Sequence, residues 1–338
     1  MSKFSLDVLQ QRVFPYVETL DPDIVLGAAF GEDVALTQVG GDTLVSHVDP
    51  IVGAIGDIGW LAVHVACNDI AASGIQPRWL QLLVLVPRME DVELLERIMQ
   101  DASRAAEEVG AAIIGGHTGY SAGLSRPLVA VTALGTASGR EPVLTGGASM
   151  GDQVLVTKGI ALEGTAILAQ DFADVARQLG LSEEELDEGR SVMAEVSVMP
   201  EALVLAENGA TAMHDVTRGG VLETLLEIAQ LSGIGIEVAF SQLPIPAIVS
   251  RFAEAFGFDP LRMISSGTLA VTIPPGRVTQ VSEALEEVGT PFAFVGHVTD
   301  STGVRVHRGG ETSHYTEIRC EEDELARLWA LYPRDGQS

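Results

Sequence analysis

Ile58-Gly59-Trp60-Leu61-Ala62-Val63-His64-Val65-Ala66-Cys67-Asn68-Asp69-Ile70-Ala71-Ala72-Ser73 is the stretch whose reading decides the fold. Trp60, Leu61, Val63, Val65, Cys67, Ile70 and Ala71 cover every sector of a helix, so it reads as a helix buried on most sides. Its polar residues then require explanation. Asp69 follows Leu61 and Val65 at intervals of four, which places its carboxylate on the same stripe as two large aliphatic side chains. Burying an unpaired carboxylate costs on the order of several kcal/mol, so Asp69 needs a cation, a strong donor set or a water-filled cleft beside it. A plainer reading stays open, in which Asn68 and Asp69 cap a neighbouring loop through hydrogen bonds.

Around this helix the first half alternates short β-like runs with helical ones. Strands are expected at Thr43–Val48, Trp79–Val86, Ala111–Gly115 and Leu128–Leu134, and a second helix at Met89–Val109 with Val92, Leu95, Ile98 and Met99 near one face. That is an α+β layer. Thr145-Gly146-Gly147-Ala148-Ser149-Met150-Gly151-Asp152 collects small and turn-forming residues and is the expected linker, giving domains 1–148 and 149–338. The second half reads as strands Gln153–Thr157, Thr211–Met213, Ile234–Val238, Thr268–Ile273, Phe292–Val298 and Gly303–Val306. Helices are expected at Thr165–Gln170, Ser182–Glu195, Glu201–Glu207, Val221–Leu231, Ala247–Phe256, Val278–Val288 and Glu321–Leu331.

The length of 338 residues suits two domains, and 46% apolar with 20% charged residues supports a sizeable core. Twenty basic residues against 47 acidic ones give a net charge of −27, and only Lys3 and Lys158 are lysines. Phosphate neutralisation along a duplex needs clustered cations, so no nucleic-acid partner is expected. Cys67 and Cys320 are too few for a disulfide framework, the N-terminus carries no signal-peptide pattern, and Trp60–Ala72 is too short and too interrupted to span a bilayer. The expectation is a cytoplasmic protein with no membrane association.

A second acidic cluster lies in Gly31-Glu32-Asp33-Val34-Ala35 and His47-Val48-Asp49-Pro50. Asp33, Asp49 and Asp69, from three separate elements, would make a hard oxygen site suited to Mg²⁺; each segment taken singly also reads as an ordinary polar turn. Two glycine-rich elements could serve a phosphate, Ile113-Ile114-Gly115-Gly116-His117-Thr118-Gly119 leaving a strand and His214-Asp215-Val216-Thr217-Arg218-Gly219-Gly220 opening a helix. At the second, helix-start N–H groups, the Thr217 hydroxyl and the Arg218 guanidinium would face an anion; the alternative is a helix cap with glycines in a tight turn. No P-loop lysine exists, and a helix start supplies only about half a positive charge, so bound metal must carry the rest, assisted by Arg218 and Lys158. His47, His117 and His214, at expected strand ends, allow a rival zinc site, without the short spacing that would make it specific. Cys67 reads as a buried apolar residue, and Cys320 has no histidine partner nearby in sequence.

In their order, Gly-Glu-Asp-Val-Ala, the strand ending in Asp49, Asn68-Asp69-Ile70-Ala71, Gly115-Gly116-His117-Thr118, Asp215-Val216-Thr217-Arg218-Gly219-Gly220 and Ser265-Ser266-Gly267-Thr268-Leu269 resemble the aminoimidazole ribonucleotide (AIR) synthase or PurM-like superfamily. Within it the chain is most similar to the hydrogenase-maturation HypE branch. The resemblance implies an α+β (α/β) two-domain fold, with an N-terminal mixed sheet that pairs with its mate across a homodimer and a C-terminal α/β domain. It implies ATP and Mg²⁺ in the cleft between them. Asp33, Asp49 and Asp69 would be metal ligands, and Asn68, Gly115, Gly116, His117, Thr118, Asp215, Thr217, Arg218, Gly219 and Gly220 nucleotide contacts. The implied chemistry is phosphoryl transfer to an amide-type or other oxygen of a small or protein-bound substrate, with a maturation protein as a further partner.

Two departures bear on that expectation. Glu32 stands where the family commonly has aspartate, and His47 where a threonine is more usual. The sequence closes on Pro333-Arg334-Asp335-Gly336-Gln337-Ser338 in place of the Pro-Arg-Ile-Cys on which HypE proteins form thiocyanate, and Cys320 is a poor substitute for a mobile terminal thiol. The expected function is therefore HypE-like ATP-dependent phosphoryl transfer without thiocyanate formation through a terminal cysteine. The alternatives are a nucleotide-binding scaffold in a maturation pathway and, further off, a zinc-dependent hydrolase.

Overall fold

The computed structural model describes Phe4 and residues 6–17, 21–52, 57–319 and 322–332; Cys320 and Pro333–Ser338 lie outside the described residues. The chain divides into two units, one of Val17–Pro142 and one of Val143–Ser338 with Met1–Tyr16. Two short helices lead it, α1 (Leu6–Arg12) and α2 (Phe14–Val17).

The first unit comprises β1 (Ile24–Leu26), β2 (Ala35–Val39), β3 (Asp42–Val52), α3 (Ile58–Ala72), β4 (Pro77–Val86), α4 (Val92–Val109), β5 (Ala112–Tyr120) and β6 (Leu128–Thr136). Its sheet runs β1-β2-β3-β6-β4-β5, antiparallel except for the parallel β4–β5 pair. α3 lies on β3 and β6 with α4 packed beside it, and α4 also meets β4 and β5, so an amphipathic second helix flanks an almost wholly apolar first one. Strand alternation then decides the rest. Val129, Val131 and Ala133 point into the helix layer, while Val48 (59% exposed) and Leu83 (36%) stand on the helix-free face. β3 outruns its expected end because Asp49-Pro50 continues the ladder opposite Val131 and Ala130 instead of turning.

The second unit comprises β7 (Gln153–Thr157), α5 (Leu162–Asp171), α6 (Ala173–Gln178), α7 (Glu183–Ser191), α8 (Met199–Glu207), β8 (Ala212–Asp215), α9 (Gly220–Ser232), β9 (Gly235–Ala239), α10 (Ala247–Phe256), β10 (Leu269–Ile273), α11 (Val278–Glu287), β11 (Phe292–Thr299), β12 (Gly303–Arg308), β13 (Glu311–Tyr315) and α12 (Glu324–Leu331). Its sheet runs β13-β12-β9-β11-β7-β10-β8, antiparallel except for β9–β12. One core joins this sheet to α9 through Val154, Val156, Leu222, Leu226 and Ile236, and a second gathers Phe172, Leu186, Phe252, Phe256 and Leu328 between helices. Mixed α/β architecture in two units is the fold that the sequence implied.

The expected linker at Thr145–Asp152 is a packed corner of the second unit. Thr145–Gly147 forms a short 3₁₀ turn against α9, the Ala148 N–H donates to Ser232 Oγ (3.1 Å), and Asp152 Oδ2 accepts from the Ser149 N–H (3.0 Å) and the Thr211 hydroxyl (2.6 Å). Small residues there serve close packing. Among the described residues no helix is long and apolar enough to cross a membrane.

Candidate functional site

In the first unit, Val45, His47 and Asp49 alternate onto the face of β3 that meets α3, and Asp69 comes down from α3 toward them, only 6% exposed. His47 Nε2 stands 3.4 Å from Asp69 Oδ2, and its Nδ1 hydrogen-bonds the backbone carbonyl of Asp33. A carbonyl only accepts, so Nδ1 is the N–H, and a neutral ring would aim the Nε2 lone pair at a carboxylate. That corner therefore favours positive charge, as a proton on His47 or a cation beside it. His47 thus ties the Asp33 segment to Asp69, with Asp49 two residues along the same strand face. Carboxylates are the hard donors that Mg²⁺ takes, and at this corner Asp69 presents one, while His47 meets Asp33 through its backbone carbonyl. Asn68 is fully buried beside them on α3. Register gave a signal for His47, since it shares its strand face with Asp49; the sequence reading allotted it to zinc.

Of the three histidines expected at strand ends, His214 lies near the end of β8 and the other two lie inside strands. His47 is mid-β3 and His117 mid-β5, three strand spacings or about 14 Å apart across the sheet, so these two cannot share an ion. Gly115, Gly116, His117 and Thr118 do not follow a strand but continue it, in an exposed edge position and with no helix start after them. Gly116 sits at φ +147° beside a register shift, where a Cβ would fall 1.9 Å from the Leu82 carbonyl oxygen; glycine is required there by strand pairing. Cys67 is buried beside Asp69, and desolvation followed by that carboxylate pushes its thiol up to about 12, which keeps it neutral and unreactive.

In the second unit, Asp215 closes β8 fully buried, and Gly219 and Gly220 adopt φ +81° and +65° before α9. A Cβ on Gly220 would meet the Leu261 carbonyl oxygen at 2.5 Å, so the turn demands glycine for both conformation and space. The start of α9 already faces an anion, one the chain supplies. Asp323, 104 residues downstream, accepts weakly from the Gly219 N–H (3.4 Å), lies 3.6 Å from Arg218 Nη1, and caps α12 by accepting from the Ala326 N–H (2.6 Å). Nothing local in the sequence signals that partner. His214 donates from Nδ1 to the Asp215 carbonyl (2.7 Å), leaving Nε2 3.0 Å from Glu227 on α9, so a proton is held between ring and carboxylate.

Lys158 corrects an expectation. Its ammonium donates to the carbonyls of Glu195 (3.0 Å) and Ser197 and meets Glu201 Oε1 at 2.7 Å. Two carbonyls and a buried carboxylate thus enclose the ammonium, which commits it to the interior of its own unit.

Comparison with known proteins follows this geometry. Residues 31–137 match the model of the AIR synthase related protein, N-terminal domain, and residues 149–309 that of the AIR synthase related protein, C-terminal domain. A Methanocaldococcus jannaschii protein named for hydrogenase expression and formation is 29% identical over 307 residues, covering 88% of each chain. The carbamoyl dehydratase HypE of Rhodobacter capsulatus is 32% identical over 241 residues, 70% of this chain and 68% of that one. The crystal structure of hydrogenase maturation protein HypE in complex with ATP superposes with a TM-score of 0.70 at 25% identity, over 87% of this chain and 89% of the other. A HypE–HypF complex superposes with a TM-score of 0.71 at 24% identity, over 85% and 93%.

Proposed function

Because the chain belongs to the AIR synthase-related family, we propose that it is a HypE-like enzyme that binds ATP with Mg²⁺ and phosphorylates the oxygen of an amide-type group. The observation that carries this reading is the buried Asp69 carboxylate facing His47, whose other ring nitrogen holds the backbone carbonyl of Asp33. Asp33, Asp49 and Asp69 hold the metal, which supplies the positive charge that an acidic chain lacks for a triphosphate. His47 fixes the Asp69 carboxylate and the Asp33 segment. Asn68, Gly115, Gly116, His117 and Thr118, with Asp215, Thr217, Arg218, Gly219 and Gly220, are the nucleotide contacts that the family pattern assigns.

Relatives named carbamoyl dehydratases support an amide-type acceptor. Transfer of the γ-phosphoryl to a carbamoyl oxygen breaks the β,γ-bridging P–O bond and forms a C–O–P linkage with release of ADP. Loss of phosphate with two N–H protons then leaves a C≡N bond, so the net step removes water. The exposed apolar side chains on the helix-free face of the first sheet, Val48 and Leu83 among them, support pairing with a second copy as a homodimer. The HypE–HypF complex supports a maturation protein as a further partner.

Calorimetric titration of ATP in the presence of Mg²⁺ tests the site. Asp69→Asn is expected to lose the Mg²⁺-dependent affinity while keeping the wild-type melting temperature; unchanged affinity in the folded variant removes the assignment. ATP affinity without ADP formation on any carbamoyl compound would favour the nucleotide-binding scaffold.

A further inference from the structure

The carboxylate at the head of α9 belongs to a segment that is anchored independently of that helix. Glu322-Asp323-Glu324 leads into α12, and the outer two acids have partners of their own. Glu322 pairs with Arg262 at 2.6 Å and with Arg319 at 3.0 Å. Glu324 accepts from the Arg327 guanidinium (2.6 Å) and from the Asp259 N–H (3.0 Å). The turn that carries Asp259 and Arg262 also borders Gly220, where a Cβ would meet the carbonyl oxygens of Leu261 and Met263. Leu325 and Leu328 of α12 are buried in the helical core. Asp323 is thereby held facing α9, its side chain only 5% exposed.

Its two oxygens differ in what they hold. Oδ1 makes the short cap of α12, accepting from the Ala326 N–H at 2.6 Å. Oδ2 faces the Gly219 N–H at 3.4 Å and Arg218 Nη1 at 3.6 Å, both longer than the roughly 2.7–2.9 Å of a charge-assisted hydrogen bond. Glu223, in the first turn of α9, folds back so far that a Cβ on Gly219 would fall 2.0 Å from its Oε2. The corner therefore sets two carboxylates against the Arg218 guanidinium.

We propose that Asp323 is a built-in competitor for the phosphates of ATP, its Oδ2 standing in the anion position that Gly219 and Arg218 provide. The proposal rests on the nucleotide reading of the segment from Asp215 to Gly220 and adds a restraint on that site. A phosphate oxygen can approach the same donors more closely than Oδ2 does and gains more from them, so the exchange favours the ligand. The cap at Oδ1 keeps the charge of Asp323 nearby throughout. In a corner this poorly solvated, that charge opposes an incoming phosphate, and the affinity for ATP lies below what the donors alone would give.

Calorimetric titration of ATP with Mg²⁺ into the full-length protein tests this. Asp323→Asn and Asp323→Ser remove the charge and retain side chains that cap helices as aspartate does, so both should melt with the parent. Each is expected to bind ATP at least about fivefold more tightly. In an Arg218→Ala background the same substitutions should gain less, because the contested cation is gone. If the parent binds ATP and the neutral variants bind it equally or more weakly, or if the gain is undiminished without Arg218, the proposal alone is overturned. Absence of ATP binding in the parent and in both variants overturns it together with the nucleotide reading.

Discussion

Replacing Lys158 by methionine separates two roles for the one lysine of residues 143–338. Its ammonium is 8% exposed and Glu201 only 1%, with 2.7 Å between them. Removing one partner of so deeply buried a pair leaves an uncompensated carboxylate, at about 3–5 kcal/mol. For a unit of this size that corresponds to a melting temperature lower by roughly 6–20 °C. The sign with pH follows from Glu201. Burial pushes its carboxyl above the ordinary 4.5 against the opposing pull of Lys158, so its protonated form is the one the fold favours. A raised folded value gives stability that is fully present below 4.5 and lost as pH rises through that value. Without the lysine the folded value rises further, so the deficit of Lys158→Met should be largest at neutral pH and shrink on acidification. Calorimetric melting across that range checks it, and replacing Glu201 by methionine as well should recover most of the loss. A variant that melts within about 0.5 kcal/mol of the parent at pH 7, yet loses ATP affinity, would refute the clamp and restore the phosphate role.

The neutral, buried Cys67 thiol should stay unalkylated at mildly basic pH in the native protein and react once it is unfolded, which peptide mapping after iodoacetamide reads directly. Asp323→Ala removes the cap of α12 and should lower stability by about 1–2 kcal/mol in denaturant titrations. Arg218→Ala should weaken ATP by about 1.5–3 kcal/mol if the guanidinium contacts a phosphate; no change by calorimetry would leave Asp323 as its only anion among the described residues.

Much of the fold was legible because pattern and burial agree. β7 and α10 occupy the residues expected of them, and α3 stands where its apolar circumference placed it. Chemistry at element ends misled. Asp49-Pro50 has turn composition but lies in an eleven-residue strand, and Gly115-Gly116 looks like a loop but is an edge strand. β13, Glu-Thr-Ser-His-Tyr, escaped notice because an exposed edge strand carries no apolar alternation. At the site the acidic positions were readable one by one. Their partners were not, since Lys158 meets Glu201 and Gly219 meets Asp323 only through tertiary folding.

The enclosure of Lys158 also limits how this protein can be tagged. With that ammonium engaged by a carboxylate and two carbonyls, the described residues present amine-directed dyes and crosslinkers with no accessible lysine, and Lys3 is the other one in the sequence. Distance restraints within residues 143–319 must therefore come from carboxylate chemistry, at those of the chain's 47 acidic side chains that are not buried as Glu201 and Asp215 are.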